Sequence, residues 1–240
     1  MKIDLYGDEI GTVEYVSHFG SDLTVVNAAR VSFGAHKDSL SDRDEKLIKY
    51  LASHNHSSPF EHCGLTFRFV VPLFIRSQHH RHRTWSYNEI SRRYTSIDLK
   101  FYEPEKFRSQ HVSNRQASTP DLVNPDLGPS NRSTIRLVPD KPNVASIAVK
   151  RHHQNSMDLY NSLLKSGVCR EQARGVLPQN LYTQYYGTVN LHNLIKFIKL
   201  RQHDGAQWEI QKVAEACLEV SQKIFPISTA AYFSGEKSSR

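Results

Sequence analysis

Residues 65–71, LTFRFVV, place Leu65, Phe67, Phe69 and Val71 on one side of the chain and Thr66 and Arg68 on the other. That period of two marks a strand with one apolar face. Pro72 follows directly; it lacks the donor that a strand ladder needs, and its fixed φ suits the first turn of a helix. The run PLFIRSQHHRHR is therefore expected to be a helix whose C-terminal end delivers Gln78 and Arg81, with SYNEISRRY as a looser segment beyond it.

The chain before this strand reads as α+β. Residues 2–6 and 12–19 are expected as short strands separated by Gly7 and Gly11, and Leu23 to Phe33 carries apolar residues at helical spacing. Ser41 and Asp44 have the spacing of a capping box ahead of a helix whose Leu47, Ile48 and Leu51 share a face, ending before the polar loop SHNHSSP. Residues 108–143 hold five prolines and no sustained hydrophobic period, which predicts a long loop, either a lid or disordered. Helical signal returns in residues 144–167, with Gly167 at C′, and again in CREQARGVLP, whereas LYTQYYGTVN is β-rich. Two amphipathic helices follow, one with Leu191, Leu194, Ile195 and Ile198 on a face, the other with Trp208, Val213, Cys217, Val220 and Ile224. Residues 234–240 form a polar tail. With 240 residues and 38% hydrophobic content, a single domain is the expectation.

The chemistry concentrates in RHRTWSYNEISRRY, Arg81 to Tyr94, where four arginines, a histidine and a glutamate fall within fourteen residues. A formal charge of +7 and a pI near 9.3 favour anionic partners. Arginine suits phosphate because its planar fork donates two parallel charge-assisted bonds. Glu89 among these cations can accept from a ribose hydroxyl or hold an arginine in place, and Tyr87, Asn88 and Ser91 add neutral hydrogen-bonding groups. An ordinary solvated basic face is the bland reading, and a nucleic-acid-binding module, with Trp85, Tyr87 and Tyr94 stacking on bases, is the competing one.

Other chemistries find little footing. His79, His80 and His82, or His54, His56, Glu61 and His62, lack HExxH spacing, and arginines flank the first group, so no metal is expected. No GxGxxG, Walker A or GxSxG element occurs, which argues against a Rossmann site, a P-loop and an α/β-hydrolase. Cys63, Cys169 and Cys217 form no CxxC pair and lie in no activating setting; Cys63 and Cys217 are expected in the core, and the setting is expected to be reducing and cytoplasmic. No apolar run is long enough to span a bilayer, and the N-terminus lacks a basic start with a continuous apolar core.

Written as RHRxxSxNExSxRY, Arg81 to Tyr94 resembles the signature of flavin-dependent thymidylate synthases at every fixed position. His54 to His62 (HNHSSPFEH), Ala29 to Phe33 (ARVSF), Leu177 to Asn190 and Phe197 to Gln211 (FIKLRQHDGAQWEIQ) also resemble that family, so the likeness covers roughly residues 2–107 and 145–233.

The resemblance implies an α+β fold distinct from Rossmann proteins, with mixed helices around a central, mostly antiparallel sheet. It implies a methyltransferase of dTMP biosynthesis: a methylene from 5,10-methylenetetrahydrofolate, the folate partner, goes to C5 of dUMP and is reduced with hydride from NADPH carried on FAD. It further implies a cytoplasmic homotetramer with active sites shared between chains, and neither a nucleic-acid nor a membrane partner. Carried over by position, Gln78, Arg81, Glu89, Ile90, Ser91, Arg92, Arg93, Arg174 and Arg201 are expected to bind dUMP, and Arg201 to be catalytic by polarising the pyrimidine. His56, Ser58, Glu61, Arg81, His82, Arg83, Glu89, Asn190, His192 and Lys196 are expected to hold FAD. Many relatives carry Arg in place of His192, Asn in place of Lys196 and His in place of Gly205. For Tyr182, Tyr185 and Trp208 a core role is expected over stacking on the flavin.

Overall fold

A computed structural model describes residues 1–128 and 143–233. Strands β1 (Lys2–Asp4) and β2 (Thr12–Phe19) open the chain, followed by helices α1 (Asp22–Arg30) and α2 (Asp42–Ser53) and a 3-10 turn over Ser58–Glu61. Strand β3 (Gly64–Pro72), helix α3 (Leu73–His79) and strand β4 (Ser86–Glu89) come next, then β5 (Phe107–Gln110) and β6 (Ser118–Val123). Helices α4 (Ala145–Lys165) and α5 (Arg170–Ala173), strand β7 (Tyr182–Asn190) and helices α6 (Leu191–Arg201), α7 (Trp208–Ile224) and α8 (Pro226–Phe233) complete it. Among the described residues no helix is long and apolar enough to cross a membrane.

These elements fall into two compact units. The first, 1–71 with 77–89 and 184–240, holds a five-stranded sheet in the order β1-β2-β3-β7-β4. The pairings β1–β2, β2–β3 and β4–β7 are antiparallel, in agreement with the α+β expectation. Alternation sets the register: Val13 lies opposite Phe69 and Tyr15 opposite Phe67, with a bulge between Tyr15 and Ser17. Leu65, Phe67, Phe69 and Val71 are all fully buried, each contributing about 1.5–3 kcal/mol by leaving water. Gly64 is required where β3 meets the end of β7, because a Cβ there would lie 2.3 Å from the Val189 carbonyl oxygen.

Helices α1, α2, α6, α7 and α8 supply the rest of this unit's core. The expected capping box of α2 is formed: the Ser41 N–H donates to Asp44 Oδ2 at 2.9 Å and the Ser41 hydroxyl to the same atom at 2.6 Å. Arg30 and Lys37 also reach the buried Asp44 carboxylate, and these partners hold it well below the usual carboxylate range, Lys37 first and Ser41 next. Helix α8 has no strong amphipathic signature in sequence, yet Asp22 caps it, accepting from Ile227 N at 3.0 Å and Ser228 N at 2.9 Å.

The second unit, 72–76 with 90–183, is built on α4 and on extended segments around it. Phe101 bridges Leu181, and Asn180 Nδ2 donates to the Tyr102 carbonyl at 2.9 Å. His153, buried on α4, meets Glu103 Oε1 at 2.8 Å and stacks on Phe101. Gly167 takes φ +87° at C′, and the bonds Gly167 N to Leu164 O and Val168 N to Leu163 O complete a Schellman turn as expected.

Three expectations need correction. The helix expected over 72–83 is shorter: Pro72 closes β3, and α3 ends at His79, so Arg81 lies in the turn beyond it. The expected loop 108–143 begins with an antiparallel hairpin, β5 with β6, pairing Phe107 with Val123 and Gln110 with Ser118. Its strands are mostly exposed and polar on both faces, so no period of two marks them, and Pro120 is tolerated because a two-stranded ribbon has free edges. Residues 129–142, the remainder of that stretch up to Asn143, and the tail 234–240 lie outside the described residues. The segment expected to be loose after α3 is instead ordered as β4 at the sheet edge, Ser86 opposite Thr188 and Glu89 opposite Tyr185.

Candidate active site

In the first unit, two stretches distant in sequence meet at the C-terminal end of α3. Helix α6 ends at Arg201, whose Nε donates to His82 Nε2 at 3.0 Å and whose terminal nitrogen lies 3.5 Å from the Gln78 carbonyl oxygen. Because guanidinium is only a donor, His82 Nε2 accepts and its proton sits on Nδ1. Burial, reinforced by the Arg201 charge, pulls His82 down to about 4, so the ring is neutral at neutral pH. Burial also lowers Arg201 from its ordinary value, the mark of a cation partly stripped of water.

The turn that carries Arg81 and His82 is pinned from beneath. The Tyr87 hydroxyl, on β4, donates to the His79 carbonyl at 2.9 Å and lies 3.1 Å from that of His82. His79 is buried completely among Phe69, Trp85 and Phe197, with Nδ1 2.7 Å from the Tyr185 hydroxyl. Burial first, then the neighbouring His82, His80 and Arg201, hold His79 well below the usual imidazole range. This aromatic bed fixes where the basic turn sits, while Arg81 and Arg83 point outward: both are exposed, and among the described residues neither side chain is engaged in a hydrogen bond or ion pair.

The expected flavin residues divide by element. Ser58 and Glu61 belong to the 3-10 turn, which packs on α6, and His56 precedes it, exposed with its ring edge-on to Tyr50. His192 stands in the first turn of α6, where burial, then Lys196, lowers its pKa while Glu61 opposes the shift. Its Nδ1 is buried without a partner among the described residues. Lys196 is exposed one turn further on. Asn190 does structural work: it is the N-cap of α6, its Oδ1 accepting from Asn193 N and from Asn193 Nδ2, both at 2.9 Å. Glu89, half-buried, closes β4.

The second unit holds the remaining expected dUMP residues. Ile90 and Ser91 follow β4, and Ser91 Oγ accepts from Arg93 N at 3.3 Å. Arg93 pairs with Glu171 at 3.1 Å, both side chains at least half exposed, so the pair is weak and exchangeable. Arg92 is committed to backbone, donating to the carbonyls of Ile97 at 2.5 Å and Tyr182 at 3.2 Å. Arg174 is exposed with no side-chain partner among the described residues.

No thiol competes as nucleophile in the first unit. Cys63 and Cys217 are fully buried; burial pushes Cys63 up to about 12 and Cys217 higher still. Tyr182 and Tyr185 are core residues as expected, whereas Trp208 is only half-buried, against Tyr6 with Lys212 over its ring. Sequence reasoning missed Gln207 and Glu209, which bond in series to Gln78. Glu209 carried the signal: it shares a helical stripe with the apolar Val213, Ala216 and Val220, an unusual place for a carboxylate.

Residues 14–227 match the family model of the thymidylate synthase complementing protein. A flavin-dependent thymidylate synthase of Thermus thermophilus is 40% identical over 222 residues, covering 92% of this chain and 75% of that protein. One from Thermotoga neapolitana is 39% identical over 225 residues, covering 92% and 90%. Among solved structures, the UMP/dUMP methylase PolB of Streptomyces cacaoi, bound with 5-Br dUMP, superposes with a TM-score of 0.77 at 32% identity, covering 97% of each chain.

Proposed function

The chain belongs to the flavin-dependent thymidylate synthase family, and on that premise we propose that it converts dUMP to dTMP, with 5,10-methylenetetrahydrofolate as carbon donor and NADPH as hydride source through FAD. The observation that carries the reading is the bond between Arg201 Nε and His82 Nε2, which brings two motifs 119 positions apart into one cluster.

Arg201 is the proposed catalytic group. A fixed, partly desolvated cation beside N3 and the carbonyls of uracil favours an enolate-like base and so makes C5 more nucleophilic. Its Nε is spent on His82 and Nη2 reaches the Gln78 carbonyl at 3.5 Å, which leaves Nη1 as the uncommitted terminal nitrogen for the base. Gln78, Arg81, Glu89, Ile90, Ser91, Arg93 and Arg174 are the proposed nucleotide contacts. Arg92, which donates to the carbonyls of Ile97 and Tyr182 and so shapes the loop that carries Ser91 and Arg93, is proposed to join them.

The donor set fits a flavin dinucleotide. Arg81 and Arg83 are uncommitted cations for a pyrophosphate, and the unsatisfied buried Nδ1 of His192 suits a polar ring atom. His56, Ser58, Glu61, His82, Glu89, Asn190 through its Nδ2, and Lys196 complete the proposed set, with Lys196 acting on phosphate as a point charge. When bound, FAD would relay hydride from NADPH. A cytoplasmic homotetramer with active sites shared between chains is the proposed assembly.

The test is a visible spectrum of the purified, desalted protein, followed anaerobically on adding NADPH with and without dUMP, and then a dTMP assay. An oxidised flavin bleached by NADPH, faster with dUMP, and dTMP formed on adding the folate are expected. A protein that stays colourless after incubation with FAD sinks the reading, and the basic cluster is then titrated with nucleic acid at several salt concentrations.

A further inference from the structure

Gln78, Gln207 and Glu209 form a hydrogen-bonded series with one self-consistent direction. Gln78 Nε2 donates to Gln207 Oε1 at 2.5 Å, and Gln207 Nε2 donates to Glu209 Oε2 at 3.0 Å. An ionised carboxylate only accepts, so Gln207 turns its nitrogen to Glu209 and its oxygen to Gln78. Gln78 then gives an N–H to Gln207 and turns that end of its amide away, so Oε1 is the acceptor it has left to offer a ligand.

The series is built into the fold rather than lying on its surface. Glu209 is 4% exposed and sits in the first turn of α7, where the helix dipole favours its charge. Its carbonyl oxygen accepts from the Tyr6 hydroxyl at 3.3 Å, tying the turn to the start of the chain. Gln207 occupies the N-cap of α7 and makes no side-chain cap bond, although this position ordinarily goes to Ser, Thr, Asp or Asn to satisfy free helix donors. Its amide is spent sideways on Gln78 and Glu209 instead, a broken local rule of the kind that marks functional positions.

We propose that Gln207 and Glu209 are positioning residues that present Gln78 to the nucleotide as a hydrogen-bond acceptor, an inference that rests on the dUMP reading of this site. A phosphate dianion has no hydrogen to give, so Gln78 addresses a donor on the base or the sugar. In dUMP these are uracil N3–H and the 3′-hydroxyl. A pyrimidine whose N3 is a lone pair, as in cytosine, would set acceptor against acceptor, so the series is a device for base choice where N3 is the partner.

The holoenzyme is first assayed for dTMP formation and, by calorimetry, for dUMP binding; a wild type that does neither refutes the parent reading. With an active wild type, Glu209→Gln removes the polarity because Gln at 209 can bond in either direction. It should raise the KM and Kd for dUMP roughly tenfold, the cost of one misdirected buried bond, with kcat and the flavin spectrum little changed. The double variant Gln207→Glu with Glu209→Gln moves the carboxylate one step nearer, again forces the Gln78 nitrogen inward, and should recover most of the loss. Binding of dCMP and of 2′,3′-dideoxy-UMP identifies the donor: the analogue that lacks it binds wild type more weakly, and the gap narrows in Glu209→Gln. A Glu209→Gln enzyme with wild-type KM, a double variant no better than the single, or analogue gaps equal in wild type and variant overturns the proposal. Should Glu209→Gln fold poorly, Gln207→Met, which leaves the Gln78 amide unrestrained, carries the same KM prediction.

Discussion

Arg201 loses part of its hydration where α6 runs into the turn at His82, and its charge helps burial to keep His82 neutral. Replacing Arg201 with Ala is expected to leave FAD bound, since of the proposed flavin residues it bonds His82 alone, while lowering dTMP formation by at least ~100-fold, the usual cost of a preorganised electrostatic group; turnover retained at near the wild-type rate would remove Arg201 from the mechanism. His79, His82 and His192 all have lowered pKa values, each with burial as the largest cause. A depressed imidazole stays neutral in the folded chain while the unfolded chain takes up the proton near pH ~6.5. Their contribution to stability is therefore complete above that pH and declines as pH falls, for His82 through about 4. Thermal unfolding should show Tm falling between pH 7 and pH 5, less steeply in His82→Gln, whose amide oxygen can still accept from Arg201; equal slopes would remove His82 from that linkage. The motifs that hold Gln78, His82 and Arg201 were legible at this scale because their residue order is distinctive, and the structure brings those three together. Gln207 and Glu209 were not, because their meaning is the direction of a hydrogen-bonded series, and direction appears only once the partners are in space.

Among the elements, those whose period is written in side chains were legible: β3 through Leu65, Phe67 and Phe69, α6 and α7 through their apolar stripes, α2 through Ser41 and Asp44. Ser41→Ala should cost about 1 kcal/mol and lower Tm by roughly 2–4 °C in calorimetry, with activity at lower temperature unchanged; no shift would mean that Asp44, held by Arg30 and Lys37, keeps the turn without its serine. Strand β4 escaped because Ser86, Tyr87, Asn88 and Glu89 carry hydrogen-bonding groups on both faces, and what orders them is the backbone ladder to β7. The hairpin of β5 and β6 escaped for the same reason, and α8 because a buried Asp22 from a distant segment caps it. Gly64→Ala would force apart the start of β3 and the end of β7, where Asn190 caps α6, so it should lower Tm and weaken flavin retention together. A loss of stability with flavin affinity intact would separate that junction from the site.

At the scale of the whole molecule, Val31 is 74% and Phe33 86% exposed, two large apolar side chains close together in the run ARVSF. The proposed homotetramer would supply a surface to cover them, and Phe33→Asp is expected to shift the mass measured by light scattering to smaller species and to lower dTMP formation with it; an unchanged mass would place this patch outside the assembly. Neither the partition into two units nor the fate of that patch was readable from periodicity, which reports a single element's faces and not what they meet. The burial of two of the three cysteines has a practical outcome of another kind. Cys63 and Cys217 are sealed in the core as un-ionised thiols, whereas Cys169 is exposed at the head of α5 in the unit that carries Arg93 and Arg174. A maleimide fluorophore added to the native protein should therefore attach once per chain, giving a site-specific optical reporter on that unit without any engineering of the sequence.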